Sequence, residues 1–226
     1  MSLLGWIFVG VAFFAFIWWR LLKDTDTDQD KDFDSKVPPL TFPPFGTLRW
    51  SKYDYWEGTG CLPAWAGFGS TSGDYVAGTL DQLPISDGSF ALIVFPHNPR
   101  HNRAISDEQQ KAFQFQIDHA ANITETILNA MPKHYIRQRE DWMLEPSDMP
   151  DITEPEKFRK MIALSSMTIH PFFKDGMAYV GLVFGCEWDS EHSLGVMLHG
   201  SRIIGIGDHD AASADQRPDE AQDPKN

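Results

Sequence analysis

The stretch Met167-Thr168-Ile169-His170-Pro171-Phe172-Phe173-Lys174-Asp175-Gly176-Met177-Ala178-Tyr179-Val180-Gly181-Leu182-Val183-Phe184-Gly185-Cys186-Glu187 decides the fold class. Two apolar runs flank Lys174-Asp175-Gly176. A glycine after an aspartate supplies the positive φ that a tight hairpin needs. The pattern therefore predicts a strand over Met167–Phe173 and a second over Met177–Glu187. Downstream, Trp188–His192 reads as a tight connection. Leu194–His199 and Arg202–Ile206 read as two more strands around a Gly200-Ser201 turn. The last third is thus expected to be an antiparallel meander.

Upstream, Phe90–Phe95 is a strand candidate that stops at Pro96, which cannot donate to a ladder. Thr47–Tyr55, Ala64–Phe68 and Asp74–Gly78 are weaker candidates, with Trp56–Gly60 expected to be a turn. Between the two strand-rich parts lies a helical pattern. Ser106-x-x-Gln109 fits a capping box, and Phe113, Ile117, Ala120, Ala121, Ile127, Leu128 and Met131 recur at three- and four-residue spacing. Pro132 is expected to end or bend that helix. A short helix is expected from the Thr153–Glu156 cap through Leu164. The fold class that follows is α+β: a mainly antiparallel sheet with one long and one short helix.

The chain has 226 residues, which suits one domain with appendages. The formal net charge is -13, from 19 Lys plus Arg against 32 Asp plus Glu. That balance argues against a nucleic-acid binder, which needs a basic face to neutralise phosphates. It favours a basic protein partner. Eight Trp, five Tyr and 16 Phe are too many aromatics for a disordered chain. Two Cys cannot form a disulfide-dense scaffold or a four-Cys zinc site.

Four segments follow. Leu3–Trp19 is an unbroken run of apolar and small residues, followed by Arg20, Leu21 and Leu22. About 20 helical residues cross a ~30 Å hydrocarbon layer. Residues 1–23 are therefore expected to be a single transmembrane helix, anchored in the bilayer through residues 3–22. The run lacks the basic start and small-residue cleavage site of a signal peptide. A buried core helix is disfavoured by large apolar residues on every face. Arg20, Lys23, Lys31 and Lys36 follow the run, which places the globular body on the cytoplasmic side. Residues 24–39 form an acidic and Pro-rich linker. Its Asp24, Asp26 and Asp28 open like a calcium loop, but Gln29 and Ser35 stand where glycine and glutamate are required. Residues 40–210 are the globular domain, and 211–226 a disordered tail.

One connection carries chemistry-bearing residues: Glu187, Trp188, Asp189, Glu191 and His192. Three carboxylates and an imidazole within six residues could hold a divalent metal or move protons. Against this, Asp and Ser suit a turn, and strand alternation splits Glu187 from Trp188. The sequence therefore assigns no catalytic residue, metal or cofactor, and keeps this loop as a candidate functional or structural site. His97 and His101 fall between prolines. Cys61 and Cys186 are expected to be reduced in a cytoplasmic domain. Gly205-Ile206-Gly207 lacks the lysine of a phosphate loop.

Tyr179 through Val196, with Gly185-Cys186-Glu187-Trp188-Asp189-Ser190-Glu191-His192-Ser193-Leu194-Gly195-Val196 at its centre, resembles the C-terminal signature of an uncharacterised bacterial family. Its members read F-x-C-x-W-D-x-E-H-G-L-G-V, and Gln109 and Ala112 match its helix opening. The resemblance spans most of Phe45–His209. Ser193 departs from it, where the family has glycine. Some members resemble toxin-immunity proteins, which implies protein binding rather than catalysis. The expectation is a membrane-tethered bacterial inner-membrane protein of unknown activity with an immunity-like binding domain. The alternative is a metal-assisted hydrolase that uses the Glu187–His192 loop.

Overall fold

A computed structural model of the chain describes residues 37–70, 83–98, 102–189, 191–213 and 217–218. Among the described residues, eight strands form one open, half-barrel sheet whose spatial order follows the sequence. They are β1 (Leu40–Thr41), β2 (Thr47–Trp50), β3 (Trp56–Ala66), β4 (Asp87–Val94), β5 (Ile162–Lys174), β6 (Met177–Cys186), β7 (Leu194–His199) and β8 (Arg202–Gly207). Every neighbouring pair is antiparallel except β4 and β5, which run parallel with Ala91 opposite Ser166. Two helices, α1 (Asp107–Asp118) and α2 (Ala120–Asp141), occupy that one crossover.

The expected α+β class is overturned. The molecule is mostly sheet, and its few helices are inserted at one point of the strand order. The single long helix breaks at His119, whose φ of -116° leaves the helical region. The His119 ring stacks on Phe115 with centroids 4.0 Å apart, and its Nδ1 lies 3.1 Å from the Phe115 carbonyl. Pro132 ends nothing: α2 runs through it to Asp141. The short helix is a 3-10 turn over Pro155–Lys160, after which β5 begins at Ile162. The expected turn at Trp56–Gly60 is instead the start of β3. No helix among the described residues is long and apolar enough to cross a membrane. The expected transmembrane helix, most of the acidic linker and the strand over Asp74–Gly78 lie outside the described residues.

Side-chain alternation gives the β5–β8 sheet two faces. Ala178, Val180, Leu182, Phe184 and Cys186 of β6 point inward, with Leu194, Val196 and Leu198 of β7 beside them. The helices cover this face with Ala112, Phe113, Ile123, Ile127, Leu128, Met131 and Tyr135. Gln109 joins helix to sheet: its amide donates to the carbonyls of Phe95 (2.7 Å) and His170 (3.1 Å). On the opposite face Phe172, Tyr179 and Met197 form a small second cluster.

A 3-10 turn over His209–Ala212 packs beside that cluster, against β6 and β7. Two glycines make the room. A Cβ on Gly181 would overlap the Ala212 carbonyl oxygen, and one on Gly195 the Asp208 carbonyl oxygen. His170 completes the seat, its Nε2–H donating to the Ala212 carbonyl at 3.0 Å. The imidazole is 1% exposed, and burial pulls its pKa from 6.5 down to about 4, against the opposing pull of that hydrogen bond. The folded state therefore binds fewer protons here than the unfolded chain. The stabilisation is complete above pH 6.5 and is lost as pH falls towards 4, by roughly 3 kcal/mol over that window. Urea midpoints of wild type and His170→Gln, compared at pH 7 and pH 4, should show the variant losing much less on acidification. An equal loss in both would remove His170 from the acid response.

Candidate functional site: the Glu187–His192 loop

The loop starts where β6 runs out. The Glu187 N–H donates to the Met161 carbonyl at 2.9 Å, which ties the end of β6 to the residue before β5. Glu187 is itself buried. Trp188 drops under the loop, 6% exposed, between α2 and the 3-10 turn. Its ring meets Tyr135 edge-on at 5.3 Å and Phe158 edge-on at 6.0 Å, the favoured geometry for aromatic quadrupoles. Its indole N–H donates to Gln138 Oε1 at 2.9 Å, so the polar tip of a buried tryptophan is satisfied.

Asp189 organises the turn. Its carbonyl accepts the Ser193 N–H at 3.1 Å and the Cys186 S–H at 3.2 Å. Its Oδ1 accepts the His192 N–H at 2.9 Å and lies 3.0 Å from His192 Nδ1. The His192 carbonyl accepts both the N–H of His209 (3.0 Å) and its Nδ1–H (3.0 Å), so the loop is joined to the C-terminal turn. Glu191 and His192 stand exposed on this frame. Ser190 lies outside the described residues.

The chemistry of the loop follows from those positions. Glu187 and Asp189 are held inside and Glu191 outside, so the carboxylates do not converge on one point. Among the described residues, no group of three His, Cys, Asp or Glu side chains is placed to hold a metal. Burial pushes the Tyr135 hydroxyl up to about 12 and raises the Cys186 thiol well above its ordinary range. Both groups therefore stay protonated at neutral pH. The pair that remains is Asp189 with His192: a buried carboxylate orients an exposed imidazole whose Nε2 faces away from it.

Several residues of this site escape sequence reasoning. Gln138, Tyr135 and Phe158 come from other elements, and His209 from beyond the meander. The signal for Tyr135 was present, since Ile123, Ile127, Met131 and Tyr135 share a four-residue spacing, but an expected end or bend at Pro132 hides it.

The family model for a domain of unknown function, DUF6985, matches residues 68–213. The chain belongs to the DUF6985 family. Within this DUF6985 protein the match takes in β4 to β8, both helices and the whole loop; β1 to β3 precede it. No curated protein and no solved structure matches the chain.

Ser193 sits at φ 62°, in the left-handed region. That conformation costs an L-residue about 1–2 kcal/mol, partly offset by the stiffer unfolded chain of serine relative to glycine. Ser193→Gly should therefore raise stability by up to about 1 kcal/mol in urea denaturation. A destabilised variant would mean that the serine side chain makes a contact worth more than the backbone strain.

Proposed function

We propose that the chain is a protein-binding module, immunity-like in role. In this proposal its apolar residues 3–22 hold it at a bacterial inner membrane, with its globular body on the cytoplasmic side. The observation that carries the binding part is the construction of the loop. Glu187, Trp188 and Asp189 are bonded from below, while Glu191 and His192 are displayed outward on a fixed turn. A surface ordered before it meets its partner loses less entropy on binding. The charge of -13 favours a basic partner and speeds its approach.

The test places a photo-crosslinking residue at Glu191 of the full chain in its own cell. A discrete protein adduct is expected in the membrane fraction, and deletion of residues 1–23 should shift that adduct to the soluble fraction. Absence of an adduct from a well-expressed chain would sink the binding proposal. An adduct that stays in the membrane fraction after the deletion would remove only the tether.

The alternative reading, a metal-assisted hydrolase using the Glu187–His192 loop, would need Glu187, Asp189, Glu191 and His192 to converge on one ion, whereas Asp189 is engaged in holding the turn. A metal that binds only the folded state would add about 2.7 kcal/mol at a hundred times its Kd. Zinc, manganese and calcium are expected to leave Tm unchanged. A rise in Tm that vanishes in His192→Ala would favour the hydrolase.

A further inference from the structure

The last turn of α2 ends in an unusual way. The Leu144 N–H donates to the Arg139 carbonyl and the Met143 N–H to the Glu140 carbonyl, both at 3.0 Å. Those two bonds define a Schellman cap, whose left-handed position is normally glycine. Here that position is Met143, at φ 54° and 88% exposed. Trp142 and Leu144 flank it at 40% and 39% exposure. Single exposed apolar residues are ordinary, but three in a row raised on a strained cap are not. Backbone strain and the lost burial of Met143 both oppose this arrangement.

Charge describes what fits over the tip. Glu140, Asp141, Glu145 and Asp148 flank it in the chain, all exposed and all within five residues of Met143. The cations close by are already engaged: Arg137 lies 3.6 Å from Asp141, and Arg139 bonds Asp151 at 2.7 Å and the Met149 carbonyl at 3.0 Å. An acidic rim repels anionic headgroups, which disfavours a lipid surface and favours a basic protein face. The tip is also next to the loop. Gln138, which holds Trp188, precedes Trp142 by one helical turn, about 6 Å along the axis.

We infer that Trp142-Met143-Leu144 is an apolar knob that inserts into a socket on a basic protein partner, with Glu140, Asp141, Glu145 and Asp148 pairing with cations around it. A buried apolar centre inside a polar ring is the usual anatomy of a binding hot spot. The inference rests on the protein-binding reading of the neighbouring loop and names the chemistry of the partner.

The experiment uses the full chain in its own cell, with the photo-crosslinking residue placed at Met143 and, separately, at Glu191. Both positions should capture the same protein, through peptides rich in Lys or Arg. Met143→Gly, which relieves the strained cap, should melt at or above the wild-type temperature and yet lower the Glu191 adduct at least tenfold. The triple variant Glu140→Lys, Glu145→Lys, Asp148→Lys should lower it as much while remaining folded. If Glu191 gives no adduct, the knob and the protein-binding reading fall together. If the Glu191 adduct survives both variants undiminished, the knob alone falls. A phospholipid adduct at Met143, or a captured peptide that is acidic, also overturns it.

Discussion

Trp188→Ala should lower the unfolding free energy by about 3–5 kcal/mol, the usual cost of deleting a large buried aromatic. The indole is the floor of the loop and fills the space between Tyr135 of α2 and Phe158 of the 3-10 turn. Its removal leaves a cavity and takes away the donor that Gln138 accepts from. Glu191→Gln and His192→Ala should cost far less, because both side chains are exposed and the backbone bond from the His192 N–H to Asp189 survives in each variant. Urea unfolding of the three variants separates the outcomes. A loss below about 1 kcal/mol for Trp188→Ala would mean that the loop is not held from beneath, and the pre-ordered surface would go with it.

Gly181→Ala should be the second most damaging change. The added methyl would occupy the position of the Ala212 carbonyl oxygen, and backbone cannot swing aside as a flexible side chain can. Overpacking of this kind costs about 1–3 kcal/mol. The expected route of relief is release of the His209–Ala212 turn, which breaks the His170 bond and opens the second cluster around Phe172 and Tyr179. Hydrogen exchange should show the amides of Ala211 and Ser213 losing protection, since both donate within that turn. Protection retained alongside wild-type stability would show that the sheet yields at β6 instead.

Much of the strand pattern was legible because local chemistry and tertiary structure agree there. Asp175 and Gly176 take φ 49° and 74°, as a two-residue hairpin with the primed turn demands, and β5 and β6 follow on either side. The Ser106–Gln109 capping box forms in both directions, at 3.3 Å and 3.0 Å. The errors share a physical origin: each took a residue at its local meaning where a distant contact decides. Gly58 and Gly60 look like turn residues, yet they lie within β3. A Cβ on Gly58 would come within 2.6 Å of Leu48 Cδ2, and one on Gly60 would overlap the Phe90 ring. They are strand glycines that admit a neighbour's side chain. Pro132 removes one backbone donor from α2, but Met131 and Tyr135 are buried on either side of it, and that packing carries the helix onward. Ile162 and Leu164 read as the end of a helix, whereas pairing with Cys186 and Phe184 draws them into β5.

The same holds for the site. The loop was legible as a cluster because Glu187 to His192 are consecutive. Its support was not, because Gln138 and Phe158 reach it from other parts of the chain. Nothing in the spacing of Asp189 and His192 distinguishes a turn held by a side chain from a ligand pair. The bond from the His192 N–H to Asp189 Oδ1 makes that distinction.

The parallel pairing of β4 with β5 has a kinetic consequence. On either side of that seam, strands adjacent in sequence are adjacent in space, so each antiparallel half can zip up from nearby contacts. The seam joins Ala91 to Ser166 and must close around both helices. Loop-closure entropy is lost there before the pairing returns any stabilisation, and high contact order slows folding. The rate of folding should therefore follow substitutions at Leu92 and Met167, which face each other across the seam, more than equally destabilising substitutions within the β6–β7 hairpin.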